Sequence, residues 1–139
     1  MKKTAIKTIT LVLALCFLLS TVAFAAVESS SYISAMSGYI TFSGNDVNVY
    51  FTVVGRRIMN EIGASEIRLF ERNENVWTKV YTFDSDDPNY TADMLSYNTS
   101  AKGDHVTYPG SADKDYLAII FFYAADSDGS DTIPYYAYS

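Results

Sequence analysis

The sequence predicts an all-β fold: an antiparallel two-sheet sandwich of about seven strands. Three observations predict it. Apolar residues after about residue 30 recur with period two. Turn clusters such as Ser43-Gly44-Asn45-Asp46 and Asp126-Ser127-Asp128-Gly129-Ser130 punctuate the chain at short intervals. No apolar period of 3.6 lasts beyond two turns. At 139 residues, 49% hydrophobic, with one histidine and one cysteine, the length and composition suit a single globular domain.

The first 25 residues read as a secretory signal peptide. Lys2, Lys3 and Lys7 form a basic start, an apolar run follows from Ile9 to Leu19, and Ala23-Phe24-Ala25 is a small-x-small site that places cleavage after Ala25. The competing reading is an uncleaved anchor, since Ile9 to Ala26 is barely long enough to span. Cys16 follows the bulky Leu15, which argues against a lipid-modified cysteine. Cleavage leaves residues 26–139 as one domain with seven basic residues against sixteen acidic ones, a net charge of −9, and no cysteine. Such a domain has no disulfide and relies on its apolar core. Its charge repels nucleic acid and anionic headgroups. The end, Tyr135-Tyr136-Ala137-Tyr138-Ser139, shows no apolar tail or sorting motif, so the expectation is a secreted protein with no membrane span after cleavage.

Element by element, Tyr39 to Ser43 reads as a strand, with a parity change that a bulge or a break near Ser37-Gly38 would explain. Val47, Val49, Phe51 and Val53 alternate as the inner face of the next strand. Arg56 to Gly63 is the one helix-like piece: Ile58 and Ile62 are four apart, Met59 and Ile62 three apart, and Gly63 stands where a helix would stop. Ile67–Arg72 and Val76–Phe83 form a hairpin around Asn73-Glu74-Asn75. Asp84 to Asn89 is a polar loop, Ala92 to Tyr97 a weaker strand, and Asn98 to Lys114 a polar stretch. Tyr116 to Ala125 is the strongest strand, apolar on both parities. A last strand, Thr132 to Tyr138, carries Pro134 and so belongs at an edge.

The pattern Tyr116-x-Ala118-x-Ile120-x-Phe122-x-Ala124 before Asp126-x-Asp128-Gly129-Ser130 is similar to the last hairpin of fibronectin type III and immunoglobulin-like domains. With Ile62-Gly63-Ala64-Ser65-x-Ile67-x-Leu69 and Trp77-x-x-Val80, it resembles small secreted β-sandwich proteins of Gram-positive, clostridia-like bacteria. The resemblance implies a fold and a location and supplies no catalytic residue. Trp77 departs from the fibronectin pattern, because it lies in the second hairpin instead of on an early strand.

Chemistry is constrained by what the chain contains. His105 lies in Lys102-Gly103-Asp104-His105 with no nucleophile elbow, so it reads as a surface histidine. The acids sit mainly in turns, where nothing pushes a carboxylate pair apart in pKa. One histidine and no mature cysteine exclude a closed nitrogen and sulfur metal site. Calcium is the open metal question, with Asp126, Asp128 and Asp131 around Gly129 as candidate ligands and Asp84, Asp86 and Asp87 as a second cluster. The loop lacks the distal glutamate of an EF-hand, and Asp-Gly is ordinary turn chemistry. The expectation is no enzyme and no cofactor. The sequons at Asn89 and Asn98 matter only in a glycosylating host.

The aromatic excess is more informative. If Tyr116, Ala118, Ile120, Phe122 and Ala124 face the core, then Leu117, Ile119, Phe121 and Tyr123 face out. On the last strand Ile133, Tyr135 and Ala137 then point in, leaving Tyr136 and Tyr138 outside; Phe70 also points out. Phe70, Phe121, Tyr123, Tyr136 and Tyr138 are thus the candidate contact residues, for a protein partner or self-association. The alternative is a carbohydrate- or cell-wall-binding module that stacks sugars on these tyrosines or on Trp77. Both readings require that residues 84–114 leave this face open.

Overall fold

The computed structural model describes residues 30–139. The signal peptide, its cleavage at Ala25 and the question of Cys16 lie outside the described residues. Six strands and one helical turn make up the described chain: β1 (Ile33–Ser43), β2 (Asp46–Asn73), β3 (Val76–Asp84), α1 (Thr91–Met94), β4 (Leu95–Pro109), β5 (Tyr116–Asp126) and β6 (Gly129–Tyr138). They form one antiparallel sheet organised by β2, which pairs with β1, β3, β4 and β5. The first half of β2 lies between β1 and the end of β4, in register Tyr39↔Tyr50↔His105. Its second half lies between β3 and β5, in register Lys79↔Phe70↔Leu117, and β6 completes that side against β5.

The sheet curls. A Cβ on Gly38 of β1 would overlap the end of the Ile120 side chain of β5. Val49, Phe51 and Val53 from the first half join Ile67, Leu69, Ile120 and Phe122 from the second in one buried core. All of them were expected inside, as was Ala137, which is also buried. The alternation of β5 is strict: Tyr116, Ala118, Ile120, Phe122 and Ala124 are fully buried, and the residues between them are half-buried.

The helix expected at Arg56 to Gly63 is instead the middle of β2. The register slips between Val54 and Met59 against β4, and between Ala64 and Glu66 against β5. The first slip inserts three extra residues of β2 and the second inserts one. Buried positions therefore fall at Gly55, Met59, Ile62, Gly63, Ala64, Ile67 and Leu69, and the steps of four and three from Gly55 to Ile62 imitate a helix. Gly63 stops no helix. Its φ is +156°, and a Cβ there would run into the Met94 carbonyl oxygen where β4 begins.

Three other expectations are corrected. Residues 91–94 form a helical turn, with β4 starting only at Leu95. The polar stretch from Asn98 is a strand as far as Pro109. Its inner face carries the ion pair Lys102–Asp104 (3.2 Å) beside Val106, which hides the alternation. In β1 the bulge sits at Ser34, where Ser34 Oγ donates to the Val54 carbonyl (3.0 Å), and Gly38 pairs regularly with Phe51.

Candidate contact face

The second half of the sheet has an outer face built row by row from the strand registers. Lys79, Phe70, Leu117 and Tyr138 form one row across β3, β2, β5 and β6. The next is Thr82, Arg68, Ile119 and Tyr136, and the third is Asp84, Glu66, Phe121 and Pro134. A bulge in β3 at Val80 returns Lys79 to this face while Tyr81 and Phe83 turn inward. Phe70, Phe121, Tyr123, Tyr136 and Tyr138 thus lie on one face, as their parity predicts. β4 does not lie over it, because β4 pairs with β2 on the side away from β5, while Asp84, Ser85, Asp86 and Leu95 border it beside Tyr123.

The aromatics concentrate on the β5–β6 flank. Tyr136 and Tyr138 are 56% and 63% exposed, whereas Phe70, Phe121 and Tyr123 are half-buried. Trp77 reaches in from β3 and meets Tyr138 edge-on, ring centres 6.3 Å apart. Trp77 therefore belongs to the same apolar patch. The Arg68 guanidinium lies 4.7 Å from the centre of the Phe121 ring and is ion-paired to Glu66. The hydrogen bond that Arg68 donates to the Glu66 carboxylate raises the Arg68 pKa, against a smaller lowering by burial. Pro134 sits mid-way along β6 and removes a donor from that edge, so the face is open to a partner while the edge resists strand addition.

The charges on the β2–β3 flank are segregated. Lys79 stands at one end with no ion pair among the described residues. At the other end Glu61, Glu66, Asp84 and Asp86 line a hollow of about 350 Å³ with Ser65 and Tyr123. The sequence offered the parity of the aromatics but not this arrangement, because the bulges at Val80 and Ser65 decide which charges share the face.

The calcium candidates are engaged elsewhere. Asp126 is ion-paired to Arg57, and its Oδ1 accepts the Asp128 N–H (2.8 Å). These bonds, that of the Asp128 N–H foremost, lower its pKa against burial. Asp131 accepts the Thr132 N–H (3.0 Å). In the second cluster Asp84 and Asp87 cap the N–H groups of Asp86 and Asn89. Among the described residues no three histidine, cysteine or acidic side chains converge to hold a metal. His105 is exposed on the other half of the sheet and stacks on Tyr50 (4.9 Å), which stacks in turn on Tyr39 (5.0 Å).

No family model and no curated protein sequence matches the chain. Two solved structures align at low similarity. A protein from Archaeoglobus fulgidus aligns over 77% of this chain and 94% of its own, with a TM-score of 0.44 and 7% identity. Spo0M, a sporulation control protein from Bacillus subtilis, aligns over 78% of this chain and 50% of its own, with a TM-score of 0.39 and 11% identity. At these scores neither likeness assigns a family or an activity.

Proposed function

We propose that the chain is a secreted, non-catalytic interaction module whose contact surface is the outer face of β2, β5 and β6. The observation that carries this reading is the open aromatic patch of Tyr136, Tyr138, Trp77, Phe70 and Phe121. Contiguous apolar surface on a globular domain marks contact sites, and tyrosine and tryptophan give large contact area at low entropic cost.

The same proposal takes the curled sheet as a two-layer sandwich of the fibronectin type III kind. Two features support it. One layer would hold β1, the first half of β2 and the end of β4; the other would hold β3, the second half of β2, β5 and β6. Tyr116 also opens β5 with its hydroxyl accepting the Ser111 N–H (2.9 Å), a tyrosine corner at the turn into that strand.

The test is the pair of substitutions Phe121→Ser and Tyr136→Ser, read by light scattering, solubility and retention on a phenyl matrix. The expected result is weaker retention together with a change in association or solubility. If all three readouts match the unmodified protein, the face is not a contact surface. A second reading is stacking of sugar rings, favoured by the exposed Trp77–Tyr138 pair. Retention on insoluble polysaccharide or peptidoglycan that is lost in Trp77→Ala would establish it, and no retention removes it.

A further inference from the structure

The contact face is complementary to itself. Its apolar flank, Leu117, Ile119 and Phe121 with Tyr136 and Tyr138 alongside, occupies the first half of β5 and the facing end of β6. Its charged flank is polarised along the strand direction, with Lys79 at one end and Asp84 at the other, both exposed and both without an ion-pair partner among the described residues. The two are separated by four ladder positions, Phe70 to Glu66 on β2, because the bulge at Val80 absorbs one residue of β3; that is about 13 Å at the rise of an extended strand.

Two identical faces can meet about a two-fold axis in two simple ways. With the axis along the strands, Lys79 lands on the other copy's Tyr138, and Asp84 on its Pro134. Both charges are then desolvated against apolar side chains, a cost with no return. With the axis across the strands, through the row of Arg68, Ile119 and Tyr136, the strand direction reverses between copies. Lys79 then falls opposite the second copy's Asp84, and Leu117 opposite its Phe121. Arg68 meets its counterpart at the axis, where each guanidinium is already neutralised by its own Glu66. Aligned packing of twisted sheets keeps these rows in rough correspondence.

We infer that the partner of this face is a second copy of the same chain, docked face to face with its strands reversed and held by a reciprocal Lys79–Asp84 pair at each end of an aromatic centre. The inference rests on the contact-surface reading above and adds the identity of the occupant. Pro134 is consistent with it, because a β6 that cannot extend the sheet at its edge steers association to the face.

Sedimentation velocity of the purified protein tests it, with Lys79→Glu and Asp84→Lys made singly and together. Both sites are exposed, and far-UV circular dichroism with thermal melts establishes that each variant is folded. The expected result is a dimer that weakens as salt rises. Each single charge reversal should weaken it at least about tenfold, and the double reversal should restore it to within about threefold of the original, because the pair is remade with its signs exchanged. A protein that stays monomeric up to about 0.1 mM overturns the inference. So does a dimer indifferent to both single reversals, or one that the double reversal does not restore. The Phe121→Ser and Tyr136→Ser retention test separates the two levels. A monomer whose phenyl retention still depends on those residues loses the second copy but keeps the contact face, whereas unchanged retention removes both.

Discussion

At the scale of single residues, two positions hold the architecture, and each can be tested alone. Gly63 lies where β2, β5 and the start of β4 converge, paired with Tyr123 on one side and Leu95 on the other. Only a hydrogen atom fits beneath the Met94 carbonyl, and the positive φ penalises any side chain there independently. Gly63→Ala should therefore cost more than about 2 kcal/mol in chemical denaturation, whereas Gly44→Ala, where nothing lies within 4 Å, carries only the cost of its positive φ. Tyr116 is fully buried with two polar obligations. Its hydroxyl accepts the Ser111 N–H and donates to Glu71 Oε2 (3.0 Å). Tyr116→Phe keeps the ring and removes both bonds, so a loss of about 1–3 kcal/mol is expected in the same assay. A variant as stable as the original would show that water replaces the hydroxyl without cost.

At the scale of elements, the contrast between β5 and β4 shows what the sequence made legible. The alternation of β5 was readable, and it placed every outward aromatic on the right face, because nothing interrupts its pairing with β6. The inner positions of β2 from Gly55 to Ala64 were not readable as a strand, because register slips break the period of two with steps of four and three. β4 hid for a different reason. Its inward Lys102 and Asp104 stand opposite the buried Val53 and Phe51, so the apolar signal is missing where the strand faces the core. Such an inward ion pair on an edge strand discourages edge-to-edge association. Replacing both partners, Lys102→Val with Asp104→Val, should leave the melting temperature equal or higher, since a part-buried pair gains little over apolar packing. The same variant should aggregate more during refolding, visible as scattered light. Removing Asp104 alone should be worse for stability than removing both, because the Lys102 ammonium is then left with little solvent. If the single and double variants melt alike, the pair is not what sets the behaviour of this edge.

At the scale of the whole molecule, the carboxylates couple the fold to pH. Glu71 receives the Lys114 ammonium at 2.7 Å, and that bond, with help from Tyr116, lowers its pKa against the cost of burial. Asp104 is raised by burial, but the His105 N–H and the Lys102 ammonium outweigh this and leave it below its ordinary value. Asp126 is lowered as well, chiefly by the Asp128 N–H. In all three the folded state holds the proton less tightly than the unfolded chain does. Their contribution is therefore complete above the ordinary carboxylate range near pH 4 and is lost as pH falls through the depressed folded values. Glu71 matters most to the architecture, because it ties the end of β2 to Lys114 and to the start of β5. The melting temperature should hold roughly level from pH 7 to 5 on account of these groups and fall steeply below pH 4. In Glu71→Gln the starting value at pH 7 should be lower and the fall below pH 4 shallower, because one of the protons taken up on unfolding is gone. A parallel downward shift with unchanged slope would mean that Glu71 acts only through neutral hydrogen bonds, and the acid sensitivity would then belong to Asp104 and Asp126.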